Sequence, residues 1–278
     1  MVTVLLALGS AACYGVSNFV GPLLARREAL FTVLFVSHLA ALLGAAVYLG
    51  AAGGAALSGG PLALAALAGA GNAGGLIGFY RAAELGPLSV VAPIGATGAL
   101  IPIAWGLAHG DALSALQGLG MVLALGGCVL AVRGSRPPTE TYPDPRASVL
   151  WAAGSAVAFG TFLTALPAAS EHGRAWALLD ARIALLAIIV VWAGRRLRAV
   201  RLTARTPLLT VPGLLLLGGT LLYLFAAGRG QLSLVSVLSS VAPLYTVALS
   251  IAFFGERPAP AQAAGVAAAL TGIVLIAA

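Results

Sequence analysis

Ten runs of about twenty apolar residues, parted by short breaks where charge, proline and glycine collect, leave this chain few choices of fold. A hydrocarbon layer of ~30 Å is crossed by about 20 helical residues rising ~1.5 Å each. Inside that layer each backbone N–H and C=O must be bonded within its own segment, so a run of this length is a helix. The runs fall at roughly 3–22, 30–50, 61–81, 88–109, 113–132, 148–169, 175–194, 207–227, 233–254 and 260–278. They are called spans 1 to 10 below. Most breaks are short, so consecutive spans are expected to pack as antiparallel neighbours. The longest polar break, Arg133 to Arg146, holds Pro137, Pro138, Glu140 and Asp144 and lies at the middle of the chain.

Composition closes the soluble alternative. Charged residues make up 8% of the chain and mean hydropathy is +1.04, against roughly 25% charged in a soluble domain. The net charge of +7 raises nucleic acid as a partner. The arginines argue against it, because they sit in the breaks between apolar runs, as membrane-anchoring charges do. The expected partner is therefore the lipid bilayer of the cell inner membrane, crossed many times. Cys13 and Cys128 lie inside apolar runs, so no disulfide framework is indicated. Met1 to Ala12 is apolar, and Ser10-Ala11-Ala12-Cys13 faintly resembles a lipoprotein cleavage site. No basic stretch precedes it, and the segment is expected to remain as span 1.

The two halves match. At an offset of 145 residues Gly9-Ser10-Ala11 meets Gly154-Ser155-Ala156, and Tyr14-Gly15 meets Phe159-Gly160. Gln117, Gly120, Ala124 and Gly127 meet identical residues at Gln262, Gly265, Ala269 and Gly272, and Gly110-Asp111 meets Gly255-Glu256. Residues 1–133 and 148–278 thus read as two five-helix repeats around a central polar loop, 134–147. An odd number of helices per repeat sends the second into the membrane upside down, the inverted-repeat plan of many secondary transporters. The expected fold is an all-α membrane protein of ten transmembrane helices. The odd-numbered breaks carry twelve arginines, five of them between Arg195 and Arg205, and the even-numbered breaks only Arg174 and Arg229. That asymmetry places the odd breaks in the cytoplasm and both termini outside.

Near the ends of the halves the pattern resembles a known family. Leu232-Ser233-Leu234-Val235-Ser236-Val237-Leu238-Ser239-Ser240-Val241-Ala242-Pro243, then Gly255-Glu256-Arg257 and Gln262, resembles the EamA-type repeat of the drug/metabolite transporter superfamily, with the proline thirteen residues before the glutamate. Ser89-Val90-Val91-Ala92-Pro93, Gly110-Asp111 and Gln117 look like a weaker first copy. Tyr14-Gly15-Val16-Ser17-Asn18-Phe19 looks like the family's first-helix motif with tyrosine for tryptophan. Gly98 stands where that family has proline, and Asp111 where it has glutamate. The resemblance implies a transporter with both termini in the cytoplasm, opposite to the arginine count, and an arginine is common in the family at the position of Arg182.

Polar groups inside a bilayer are costly, so each is a candidate for function. Arg182 and His38 lie in spans 7 and 2 at equivalent positions, offset 144. The five donors of a guanidinium suit a carboxylate or phosphate; an internal ion pair and a satisfied core histidine are the bland accounts. Asp180 is two residues from Arg182 but off its helix face. Asn18 and Asn72 are expected to bond between helices or to touch solute. Tyr80 and Trp105 lie near span ends, where an interfacial belt is the alternative to a pocket. Tyr223 and Tyr245 lie deeper, the latter near Ser239, Ser240 and Thr246, and Thr97, Gly98 and Pro102 lie in the matching span 4. Proline in spans 4 and 9 removes helix hydrogen bonds, which marks both as cavity walls and moving parts.

No H-E-x-x-H spacing or cysteine cluster is present, so neither metal nor cofactor is expected. Without lysine no phosphate-binding G-x-x-x-x-G-K-[ST] loop exists, which excludes nucleotide-driven pumping by this chain alone. The expected function is alternating-access transport, with export implied by the resemblance, of a small organic solute such as an amino acid. A membrane-embedded enzyme or a lipid flippase, each without metal, is the rival class. A homodimer is compatible with the sequence.

Overall fold

A computed structural model describes residues 1–25, 28–86, 91, 94–95, 97–133, 143–194, 200, 206–254 and 259–277. Pro93, most of the central loop, the Arg195–Arg205 cluster and Gly255-Glu256-Arg257 lie outside the described residues. Among the described residues the chain is helical, without strands. In order the helices are α1 (Val2–Ala25), α2 (Leu30–Ala52), α3 (Gly59–Leu85), a 3-10 turn (Thr97–Ala99) leading into α4 (Leu100–Ala108), α5 (Ala115–Arg133), α6 (Pro145–Ser170), α7 (Arg174–Ala193), α8 (Thr206–Ala227), α9 (Leu232–Ser239), α10 (Ala242–Phe254) and α11 (Pro260–Ala277). Helices α1, α2, α3, α6, α7 and α8 are long and apolar enough to cross a membrane. The other four spans are shorter apolar helices.

The helix starts show what some of the polar residues matched between the halves do. Ser114 Oγ accepts from the Gln117 N–H and Gln117 Oε1 from the Ser114 N–H, each at 3.1 Å. This reciprocal pair satisfies two of the donors that a helix start leaves open. One repeat later Gln262 Oε1 accepts from the Ala259 N–H at 3.0 Å, half of the same device with alanine in place of serine. Asp144 caps α6 by accepting from Arg146 N and Ala147 N at 3.1 and 3.0 Å, and Pro145 opens the helix where its missing N–H is no loss. Gly53 and Gly194 close α2 and α7 with φ of +67° and +52°, angles that a side chain would oppose.

Span 9 is not one helix. α9 ends at Ser239, Ser240 and Val241 turn, and α10 begins at Ala242. Pro243 therefore lies in the first turn of a new helix, where proline costs little, rather than in a helix interior. Pro102 sits likewise in the first turn of α4, after the 3-10 turn. In span 9 the expected kink is a break between two helices, and in span 4 a 3-10 turn runs directly into α4.

Small residues set the packing. Helix α3 lies against α6, α1 against α8, and α5 against α11. Each pair is antiparallel. Ser148 Oγ reaches Ala82 O at 2.8 Å while Ser155 Oγ reaches Gly75 O at 2.7 Å. Ser17 Oγ reaches Pro212 O at 3.0 Å while Tyr14 meets Thr220 Oγ1 at 3.2 Å. Along α5 and α11 the glycines face backbone directly: a Cβ on Gly127 would lie 2.6 Å from Gly265 O, and one on Gly272 2.5 Å from Gly120 O. Such approach is open only to residues without a side chain in the seam. Helix α1 also runs parallel to α9 and α10, with Ser239 Oγ 3.5 Å from Ala7 O and Thr246 Oγ1 3.0 Å from Gly15 O.

Candidate functional site

Between α1, α2, α7 and α8 the apolar interior holds a polar knot. Arg182 on α7 is 3% exposed and His38 on α2 is 2% exposed. The guanidinium of Arg182 donates through Nη2 to Thr220 Oγ1 at 2.7 Å and to Leu216 O at 3.4 Å, both on α8. Thr220 donates to Leu216 O, one turn back, at 2.7 Å and shares a hydrogen bond with the Tyr14 hydroxyl of α1 at 3.2 Å. His38 and Tyr14 lie within electrostatic reach of Arg182. Among the described residues no carboxylate lies within 4.0 Å of Arg182, and His38 Nδ1 and Ser10 Oγ are buried without a hydrogen-bond partner. Among the described residues both of these Arg182 bonds run from Nη2, one of the three nitrogens that share its five donors.

The arginine reaches a distance to do this. Helices α7 and α8 are not in close backbone contact; α2 packs against both, and α3 against α7. The long side chain bridges the space between them.

Neighbouring this knot is a second polar cluster with a local origin. Pro167 lies inside α6 and has no N–H to give to Leu163 O. The Tyr223 hydroxyl donates to that carbonyl at 2.7 Å and meets Ser236 Oγ at 2.9 Å. Tyr223 is fully buried, so its polar end is occupied by two protein groups.

The remaining residues singled out from sequence are spread more widely. Tyr245 is half-buried on α10 over Gly15 of α1, where a Cβ would stand 2.5 Å from Tyr245 Cβ. Ser239 is buried at the end of α9, and Ser240 Oγ closes the α9 end by donating to Ser236 O at 2.6 Å. Asn72 and Tyr80 are half-buried on α3, Tyr80 edge-on to Phe79 with ring centroids 6.3 Å apart. Asn18 and Thr97 are exposed, and the Thr97 hydroxyl donates to Ile94 O at 2.6 Å. Asp180 is half-buried on α7. The structure thus brings together Arg182 and His38 and adds Tyr14, Thr220 and Ser10, which sequence reasoning did not place in the site. A signal for them existed in the repeat. Tyr14 meets Thr220 where the equivalent Phe159 meets Gly75, whose Cβ would lie 2.6 Å from the Phe159 ring. The polar version occurs in one half only.

Residues 146–278 match the model of the EamA-like transporter family. No curated protein matches the chain. Among solved structures 27 chains match. One of them, a crystal structure of a protein 17% identical in sequence, superposes over 98% of this chain and 94% of its own with a TM-score of 0.79, and so shares the fold.

Proposed function

Given that the chain is a multi-pass membrane protein and an EamA-type member of the drug/metabolite transporter superfamily, we propose that it is a secondary transporter moving a small organic metabolite, such as an amino acid, across the inner membrane by alternating access, in the export direction. The observation that carries this reading is the polar knot around Arg182. A buried cation without a carboxylate is a poor structural element, because desolvating it is costly and an apolar residue would pack as well. It is a good solute contact. An enzyme built on this site would need an acid–base pair or metal beside it, whereas transport needs only a polar station reachable in turn from each side.

The same reading takes the chain as two inverted repeats, 1–133 and 148–278. Three features support it. Exchanging the halves turns the α1–α8 pair into the α6–α3 pair, and the parallel contact of α1 with α9 and α10 into that of α6 with the 3-10 turn and α4. The close approach of Gly69 to Ala181 O on α7 has its counterpart in that of Gly213 to Ser37 O on α2. Helices α5 and α11, equivalent in sequence, run in opposite directions. A two-fold axis in the membrane plane relates elements in this way.

The test is purified protein in proteoliposomes preloaded with a labelled metabolite mixture, with efflux and counterflow read by mass spectrometry. Saturable exchange of one or a few compounds is expected. Equal leakage from loaded vesicles with and without protein, for protein that is inserted and folded, would end the transporter reading.

A further inference from the structure

We propose that the transported solute carries an oxyanion, a carboxylate or a phosphate, which the Arg182 guanidinium binds between α1, α2, α7 and α8, and that Arg174 and Arg229 form a second station for this group at the end of the bundle where α7 begins. The inference rests on the transporter reading and names the chemistry of its site.

Two separate observations lead here. The first is the guanidinium of Arg182, whose hydrogen bonds among the described residues run from Nη2. Its bonds to Thr220 and Leu216 fix one side of the guanidinium, and a fixed, planar set of parallel N–H donors is the geometry that takes two oxygens of one carboxylate or phosphate. His38, with its unbonded Nδ1, and the Tyr14 hydroxyl stand close by as further hydrogen-bonding groups. A neutral solute would leave the cation uncompensated in a low-dielectric interior.

The second lies about 12 Å away, eight residues up α7 at 1.5 Å rise each. Arg174 lies over the Phe225 ring at 4.5 Å, and Arg229 lies over the same ring at 5.5 Å while bonding Phe225 O at 3.1 Å. Arg174 Nε is buried without a partner, and among the described residues neither arginine has a carboxylate within 4.0 Å. Two cations held on one aromatic ring repel each other, and the ring offsets only part of that. An anion between them would relieve it. Arg174 reaches Gly228, just past the end of α8, and Arg182 reaches Thr220, about two turns back along that helix. The two stations therefore stand on the same seam, and an anion attracted to the outer one lies on the line to the inner one.

The experiment loads proteoliposomes with three metabolite pools. One holds carboxylates including amino acids, one holds phosphate monoesters, and one holds solutes with no oxyanion: sugars, polyols, amines and amino-acid amides. Uptake confined to the first or second pool is expected, and which of the two tells carboxylate from phosphate. Arg182→Gln should weaken half-saturation by about 10- to 100-fold, the range for losing a hydrogen-bonded charge, and Arg182→Lys by less. The double variant Arg174→Gln, Arg229→Gln should raise KM several-fold at low salt, leave kcat nearly unchanged and lose most of the salt dependence. Thermal unfolding of each variant in detergent identifies any that fail to fold, and Arg182→Lys then carries the test. Transport confined to the third pool, or Arg182→Gln and Arg182→Lys both matching the parent, would overturn the oxyanion while leaving a transporter. Failure of all three pools would remove the transporter reading and this inference with it.

Discussion

Tyr223→Phe removes one oxygen and little else. In the parent the hydroxyl donates to Leu163 O at 2.7 Å and meets Ser236 Oγ at 2.9 Å. That carbonyl needs an outside donor because Pro167, four residues on, has no N–H. With phenylalanine it is left unsatisfied in the protein interior. An orphaned buried carbonyl costs about 1–3 kcal/mol, and hydrogen bonds between membrane helices measure about 0.6 kcal/mol on average and up to about 1.7. A loss of about 1–1.5 kcal/mol is therefore expected.

The cause can be separated from mere loss of a contact. In a Pro167→Ala background residue 167 has an N–H, the helix closes on Leu163 O, and Tyr223→Phe then forfeits only its contact with Ser236, about 0.5 kcal/mol. The two substitutions should be non-additive by about 1 kcal/mol, well above the scatter of independent sites. Reversible unfolding of all four proteins in mixed micelles measures the cycle. Equal cost of Tyr223→Phe in both backgrounds would refute the argument that the tyrosine serves a proline-freed carbonyl.

Thr220→Val keeps shape but takes an acceptor from Arg182 and a partner from Tyr14. It should weaken transport by about 10-fold with Thr220→Ser restoring it, and parent-like KM in Thr220→Val would show that Arg182 is held by other means. Gly127→Val puts a side chain against Gly265 O, 2.6 Å from its first carbon; it should cost about 2 kcal/mol or more by forcing α5 from α11, read by thermal unfolding, and an unchanged midpoint would deny the close seam. Asp111 accepts from Ser233 N at 3.0 Å and from the Ser233 hydroxyl, so Asp111→Ala uncaps α9 and should cost about 1 kcal/mol; no shift in unfolding would mean the tie between these loops is absent. Pro243→Ala allows α9 and α10 to join into one helix, and it should slow turnover more than it weakens binding, with equal loss of both arguing against a hinge.

Length and apolarity made the spans legible, because a bilayer leaves the backbone no other solution. The residues that match between the halves serve the same local end where the structure describes them, as Gln117 and Gln262 do at helix starts and as Gly120, Gly127, Gly265 and Gly272 do in one seam. Arg182 and His38 stood out because charge in an apolar run is rare. Thr220 did not, since a threonine can bond its own helix at i−4, and only the reach of Arg182 from α7 across to α8 reveals that it also holds an arginine. Tyr223 was read as a pocket residue, yet its partner is a carbonyl sixty residues away, freed by a proline whose effect on sequence alone is a missing bond with no address. The break of span 9 was legible as proline but misplaced by a few residues, because a helix that cannot continue into proline stops before it and restarts with proline in its first turn.

These particulars divide the molecule into parts that hold and parts that yield. Where α5 meets α11 and α3 meets α6, glycines bring backbone against backbone over several turns, and such interfaces resist sliding because any shift drives a side chain into a carbonyl. Spans 4 and 9 differ. Each is interrupted near the middle of its run, α9 touches α4, and α10 is tied to α1 through Thr246. An interrupted helix changes direction by altering a few dihedrals at Ser240 and Val241 without breaking a ladder of hydrogen bonds. The polar knot lies on α1, α2, α7 and α8, outside the interrupted spans, with its arginine anchored to α8. Under the proposed function, an arrangement that fixes the binding group and hinges the neighbouring spans would let access change from one side to the other while the solute's contacts stay in place.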